Sequence, residues 1–533
     1  MPVATFCSIP DMTLRRLPAL LAFFALIGAS TAHAYLDVPV REAGARTLLT
    51  RFGYGADQAS LRDTLGLSPR QYLRRAIRET PVYPPAIQAH IAALPASTPL
   101  PELWARYGPG GTEKFVPAPQ QNASNDGKAM RNPREIAGRE ILDSTIETRL
   151  LQSVNSDNPG HEILLNFWLN HFSINGLKTI TKYVAADYAR SLQMAMREDS
   201  FLALLRASFL HPAMQIYLDN DRSTAANSAQ GKRASQNGKS RGLNENLARE
   251  LLELHTLGVD GGYTQADVQA LARIITGAGV IINGMRPDPA SVSGGVRIGY
   301  FFFDPRRHDD EHKRLLGTDY PAGKGFAEIE KALAQLAAHP ATARHISRKL
   351  ALRFYGDEPP AEVLRVMSEA FLRSGGRISE TLFAMVNSRS FADTLKGPDK
   401  FKEPMDYVLS AVRAVCNGQP VANGKILMRT LRQFNHLPFM RTTPDGYGAL
   451  EKDWLSSPEM ARRIRLAQTL AAAHLPLAAD VPPKSGEGRC RPEVASIRQL
   501  VGPLSASTTQ ALQGLKPADE MAALLASPEF MHR

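Results

Sequence analysis

Asn244-Glu245-Asn246-Leu247-Ala248-Arg249-Glu250-Leu251-Leu252-Glu253-Leu254-His255 reads as a helix with two characters. At about 100° per residue, Glu245, Arg249, Glu253, Asn246 and Glu250 share one arc of about 140°. Leu247, Leu251 and Leu254 flank that arc on one side, and Ala248 and Leu252 on the other. Apolar residues on both flanks fit a buried helix whose arc faces a polar interior. The same arc also fits a solvent-facing stripe held by Glu245–Arg249 and Arg249–Glu253 pairs at i,i+4. Gly258 closes the helix, at about 257, in the manner of a glycine C-cap.

Outward from this segment the helical period recurs over 40–50, 58–79, 136–155, 161–174, 180–195, 198–208 and 264–276. It resumes over 325–338, 341–355, 361–374, 378–387, 403–416, 425–434 and 457–473. Residues 280–282 and 296–303 read as strands, with Asn283-Gly284 as a turn signal between them. The fold class expected is mainly α, a large multi-helix assembly with one small β-hairpin element at about 280–303. Residues 35–80 form an N-terminal helical segment and 81–135 a Pro/Gly-rich irregular excursion. The main helical domain covers 136–475, with a tail of short helices at 476–533. The stretch 221–241 is so polar that it reads as a mobile loop.

Arg15 and Arg16 precede an apolar stretch at 17–29, followed by Ser30-Thr31-Ala32-His33-Ala34. A basic start, an apolar run and an A-x-A site together specify a secretory signal peptide over 1–34, cleaved after Ala34. The run is shorter than the roughly 20 residues a transmembrane helix needs. The expected product is exported, periplasmic or secreted, with no transmembrane span in the mature chain. A hydrophobic content of 44% supports a sizeable core, and the net charge is +11. Basic charge alone would admit nucleic acid, but export argues for no nucleic acid, and for an anionic envelope surface or acidic ligand instead. Beyond the signal segment the cysteines are Cys416 and Cys490. An oxidising compartment permits a disulfide, although sequence does not specify the pairing.

The apolar helix 161–174 carries Glu162, Asn166 and Asn170 at successive i+4 steps, followed by His171. Buried polar groups must be paired, and the Glu/Arg arc would supply partners for this seam. Tyr217-Leu218-Asp219-Asn220 ends where the polar loop begins, which would bring Asp219 and Asn220 close to Asn244 and Asn246. The second strand delivers Arg306, Arg307, His308, Asp309, Asp310, His312 and Lys313 into a loop. His308, Asp309 and His312, with Glu250, Glu253 or His255, would offer N and O ligands to a divalent metal such as Zn, Mn or Fe. The spacing does not single out a metal: Glu253-x-His255 is not Glu-x-x-His. Asp219-Asn220-Asp221 starts like a calcium loop, but Thr224 and Gln230 fill its sixth and twelfth positions. No Gly-x-Ser-x-Gly elbow, phosphate-binding loop, dinucleotide fingerprint or haem motif is present.

From Arg51-Phe52-Gly53-Tyr54-Gly55 to Trp454-Leu455-Ser456 the chain resembles the exported bacterial proteins grouped as Domain of Unknown Function 1800. The blocks that carry the resemblance are Phe167-Trp168-Leu169-Asn170-His171-Phe172, Tyr217-Leu218-Asp219-Asn220, Asn244 through Gly258, His308-Asp309 with Lys313, and Arg348-Lys349-Leu350. The loop before Asn244 is longer and more basic than the family pattern, with Lys232, Arg233, Lys239 and Arg241. A Gly-aromatic-Pro element of that pattern stands here as Gly446-Tyr447-Gly448. The resemblance implies an exported protein, often encoded beside a second exported protein resembling the alkaline-phosphatase/sulfatase superfamily; it implies no reaction.

Two functions follow. The first is a cell-envelope scaffold or binding partner of another exported protein, with a buried Asn/Glu/Arg/His network. The other is a periplasmic or secreted hydrolase, metal-dependent or not, with Glu250, Glu253 and His308 as catalytic groups. Glu162, His171, Asp219, Asn220, Asn244, Asn246, Arg249, Asp309 and Lys313 would then bind ligand, and His308, His312 and Asp309 the metal.

Overall fold

Proline behind a capping side chain starts many of the helices. Ser68 precedes Pro69 and accepts the Gln71 amide; Asn158 precedes Pro159 and accepts that of His161. His211 and His339 cap Pro212 and Pro340 helices through a ring nitrogen. Proline lacks the amide that the first helical turn would leave unpaired, so the pattern costs nothing.

The structure, a computed structural model, describes residues 36–112, 133–237, 242–285, 287–394, 400–480 and 488–533. The signal peptide expected at 1–34 lies outside the described residues, as do Lys239 and Arg241. The first helices are α1 (Glu42–Arg51), α2 (Gln58–Thr64), α3 (Pro69–Arg78), α4 (Pro85–Ala93) and α5 (Leu100–Tyr107). Then come α6 (Pro133–Asn155), α7 (Pro159–His171), α8 (Thr181–Arg197), α9 (Phe201–Phe209), α10 (Pro212–Tyr217) and α11 (Ala229–Gln236). After α12 (Asn246–Glu250) and α13 (Gln265–Ile274), strands β1 (Ala278–Val280), β2 (Val296–Ile298), β3 (Phe301–Phe303), β4 (Lys313–Leu315) and β5 (Thr318–Tyr320) intervene. Helices resume with α14 (Phe326–Ala338), α15 (Pro340–Phe354), α16 (Ala361–Arg373), α17 (Ile378–Val386), α18 (Arg389–Thr394) and α19 (Pro404–Cys416), and shorter helices carry the chain to its end. The fold is mainly α. Buried apolar side chains from Leu36 to Met531 join in one cluster. Within it α7 packs against α3, α6 and α8, and α15 against α14, α16 and α17. No described helix is long and apolar enough to cross a membrane.

Several boundaries differ from expectation. The segment 58–79 is two helices, because Gly66 turns the chain at φ +83° and Ser68-Pro69 start a new helix. The Pro-rich stretch after 81 contains α4 and α5, whose Trp104 is buried and whose Tyr107 stacks on Tyr183 at 4.4 Å. The polar loop contains α11, capped by Ser228, and Gln230 donates to Asp304.

The β element also differs. The expected strand 296–303 breaks at Gly299, where φ is +57°, into β2 and β3. β1 pairs with β3 rather than with β2, so the sheet order is β1-β3-β2, with Ala278 opposite Phe303 and Val280 opposite Phe301. Asn283-Gly284 does not join paired strands; the Asn283 amides bind the Pro109 and Trp104 carbonyls. A second hairpin, β4–β5, turns at Leu316-Gly317, both at positive φ. That geometry belongs to a two-residue hairpin turn, and the Leu316 amide is held by Asp267 at 2.7 Å.

The helix expected over 244–257 is α-helical only to Glu250 and makes one π-helical turn over Leu251–His255. Such turns recur at functional sites. Gly258 closes it at φ +87°, and a Cβ there would lie 2.7 Å from His345 Nδ1. Cys416 and Cys490 form a disulfide that ties the end of α19 to the C-terminal segment.

Candidate functional site

The polar seam of α7 is satisfied from α6 and three loops. Glu162 is fully buried; Arg149 Nη2 lies 2.6 Å from its Oε2, and the Tyr83 hydroxyl donates to its Oε1 at 2.6 Å. Arg149 also donates to Asn166 Oδ1, while Asn166 Nδ2 donates to the Tyr54 hydroxyl and to Ser153. Asn170 clasps Tyr447 from both sides, donating to its carbonyl and accepting its amide. The need for partners follows from burial. Their sources are Arg149 and Ser153 on α6 with Tyr54, Tyr83 and Tyr447 from the loops, not the Glu/Arg arc of 245–253.

Below the seam lies a cavity of about 310 Å³. Its walls are α7 (Phe167, Leu169), α15 (Lys349, Leu352, Arg353), the start of α19 (Met405, Asp406) and the loop from His436 to Asp453. Arg353 holds Asp406 through two bonds of 2.7 Å and Glu403 through one of 2.6 Å. Burial would raise the Asp406 carboxyl, but the Arg353 and Arg533 guanidiniums hold it well below the usual range. His436 Nδ1 accepts the Met405 amide, and the ring stacks on Trp454 at 4.8 Å. Burial pulls His436 down to about 3 despite Asp406, so the ring is neutral with its proton on Nε2.

Lys349 is different. No hydrogen bond or ion pair reaches its amine among the described residues. Protein surrounds the side chain, yet it keeps accessible surface, because that surface faces the cavity. Burial pulls the amine down to about 8, with Asp445 opposing from a distance. Behind it stand three neutral histidines: burial first, and then the Lys349 charge, bring His255 to about 3, His345 to about 4 and His171 well below its ordinary value. His171 bonds the His255 carbonyl and His345 the Leu254 carbonyl, each at 3.1 Å. Among the described residues, His171 Nδ1 and His255 Nε2 have no hydrogen-bond partner.

The Glu/Arg arc faces elsewhere. Arg249 pairs with Glu245 at 3.3 Å, and Gln265 bridges the two. Asn246 and Glu250 line an open groove with Lys178, Tyr217 and Thr442. Burial pushes the Glu250 carboxyl up to about 7, reinforced by Glu253 and opposed by Arg249. Glu253 accepts from Tyr263 at 3.4 Å. Asp219, at φ +56°, pairs with Lys178 at 2.8 Å and accepts Asn244 Nδ2 at its carbonyl. The Asn246 amide binds Asn244 Oδ1, so the structure does bring Asp219 and Asn244 together. Asn220 is buried and donates to Gln215.

His308 belongs to a third place, under β4. Its Nδ1 faces the Thr276 carbonyl at 2.9 Å, and its Nε2 lies 3.7 Å from Glu328, too far for a hydrogen bond. Lys313 meets that same Glu328 oxygen at 2.7 Å. Asp309 is gripped by Arg273 through two bonds, of 2.7 and 3.1 Å. His312 is exposed beside Asp319. His308, Asp309 and His312 therefore do not converge; the donor atoms that do lie together, within 4.8 Å, are those of His308, Asp310 and Glu328. No hydrogen bond or ion pair among the described residues joins His308 to Glu250 or Glu253.

The sequence pointed to His171 but not to His345 or His436, and it named Lys349 only within a family block. No curated protein and no solved structure matches the chain. Residues 47–532 match the family described as "Protein of unknown function (DUF1800)". Nearly the whole described fold, cavity and seam included, falls within that match, and the chain belongs to the DUF1800 family.

Proposed function

We propose that this is an exported cell-envelope protein that serves as a scaffold or binding partner of another exported protein, its Asn/Glu/Arg/His blocks forming an internal framework. One observation carries the reading: three of the charged groups expected to bind a ligand are spent on internal bonds. Glu162 is neutralised by Arg149, Asp309 by Arg273 and Lys313 by Glu328. Export is supported by the 1–34 signal pattern and by the Cys416–Cys490 bridge, which suits an oxidising compartment. The partner expected from the resemblance is an exported protein of the alkaline-phosphatase/sulfatase type, encoded alongside. Co-expression of the two in a periplasm, followed by affinity capture and size exclusion, tests this. Co-elution at fixed stoichiometry supports the reading, and separate elution at micromolar concentrations removes it.

A hydrolase reading has one observation in its favour. Glu250 near pH 7, beside Glu253 in an open groove, is poised for general acid–base work. A metal-dependent form would draw on His308, Asp310 and Glu328, although the Lys313 ammonium already occupies Glu328. Turnover of chromogenic esters, phosphates or glycosides that falls about 100-fold or more in Glu250→Gln would establish it. Equal turnover in the variant would exclude Glu250.

A further inference from the structure

Most of the charges lining the cavity below the α7 seam are held in ion pairs, and Lys349 is not. Arg353 and Arg533 together match Glu403 and Asp406, and Arg441 pairs with Asp445 through bonds of 3.3 and 3.0 Å. Asp453 stands exposed at the rim and accepts the Leu450 amide. The histidines are neutral. Among the described residues that leaves Lys349 as the lining cation with no ion pair, and the exposed Asp453 as the lining carboxylate with none. An isolated cation in an apolar enclosure is costly unless something pairs with it, and Phe167, Leu169, Leu352, Met405, Pro438 and Phe439 make the enclosure largely apolar.

We propose that this cavity is a binding site for a compact, mostly apolar molecule bearing a single carboxylate, with Lys349 as its counter-charge. His436 and the Ser173 hydroxyl line the same space, and neither His436 Nε2 nor Ser173 Oγ makes a hydrogen bond among the described residues. The two asparagines of the wall are already committed, Asn166 to Tyr54, Ser153 and Arg149, and Asn170 to Tyr447. The polar recognition therefore centres on one anionic group, with imidazole and hydroxyl donors beside it. The volume, about 310 Å³, lies at the small end of the range for ligand sites, roughly 300–1,000 Å³. A dianion would overfill one ammonium, and a neutral alcohol would leave it unpaired. This site does not depend on the scaffold reading, and either can fail alone.

The test uses the full mature chain with sodium octanoate and 4-phenylbutyrate as probes, and octanol, acetate and inorganic phosphate as controls. Thermal unfolding is expected to shift upward, saturably, by about 2 °C or more with the two carboxylates, and not with the controls. Lys349→Met abolishes the shift. A second readout needs no variant: acylation of the wild-type protein with an amine-reactive ester, mapped by peptide mass spectrometry. Octanoate is expected to reduce labelling at Lys349 by threefold or more and to leave Lys232 unchanged. Absence of a saturable shift with both carboxylates, an undiminished shift in Lys349→Met, or equal labelling of Lys349 with and without octanoate each overturns the proposal.

Discussion

Arg149 and Glu162 meet at 2.6 Å with 4% and 0% of their side chains exposed, at the junction of α6 and α7. Removing either partner leaves the other charge stranded in the interior. Arg149→Met and Glu162→Leu are each expected to cost about 3–5 kcal/mol of unfolding free energy. The double variant should recover a large part of that loss, because no stranded charge remains. Urea denaturation of the three variants measures the cycle, and strictly additive losses would contradict the pairing.

The Cys416–Cys490 bridge closes a span of 74 residues, and both cysteines are buried. Its chief effect is on the unfolded chain, which loses loop entropy. The Cys416→Ser/Cys490→Ser double variant is expected to lose about 2–5 kcal/mol. Under native conditions dithiothreitol should leave the bridge intact, and it should reduce it once denaturant opens the fold; thiol counting in both states is the check.

Glu250 is favoured in its neutral form, its carboxyl rising from 4.5 to about 7 on folding. The stabilisation from that group is complete below pH 4.5 and disappears as pH rises through 7. Glu250→Gln, neutral at every pH, should therefore gain Tm relative to wild type between pH 5 and 8. A Tm difference that stays flat over that interval would show that Glu250 is ionised in the fold.

His255 and His345 run the other way. Folding lowers them from 6.5 to about 3 and about 4, so their contribution is intact above pH 6.5 and is lost as pH falls toward 4. His171 adds to the same slope. Acid lability below pH 6.5 is the expected net result, since these three groups outweigh Glu250 in the shared window. His345→Gln should flatten the fall in Tm between pH 6.5 and 4.5, provided the Gln amide keeps the Leu254 carbonyl satisfied.

The helical periodicity identified the architecture well, because the long helices bury apolar faces, and several of them start at a capped proline. Prolines misled at 85 and 99–101, where they begin helices rather than interrupt structure. The β4–β5 hairpin was invisible because its turn places Leu316, not asparagine or glycine, at positive φ. For the site, burial of Glu162 and half-burial of Asn166 and Asn170 were legible from their greasy surroundings. The identity of Arg149 as partner was not, since it sits on the preceding helix among ordinary i+4 neighbours. Lys349 was hidden in a different way: Arg344 and Arg348 on the same helix are exposed. A lysine in that basic run reads as one more solvated charge, and only tertiary packing turns it inward.

The π-helical turn at Leu251–His255 also bears on ancestry. An i→i−5 step in an α-helix accommodates one residue more than the α-helical ladder holds. One residue fewer would restore the α-helical ladder and rotate all that follows by about 100°, carrying His255 away from His171 and Gly258 away from His345. Asn246 and Glu250, upstream of the turn, would keep their groove. Chains of this family that differ by one residue between Asn246 and Gly258 are accordingly expected to share the outer groove but not the inner histidine cluster.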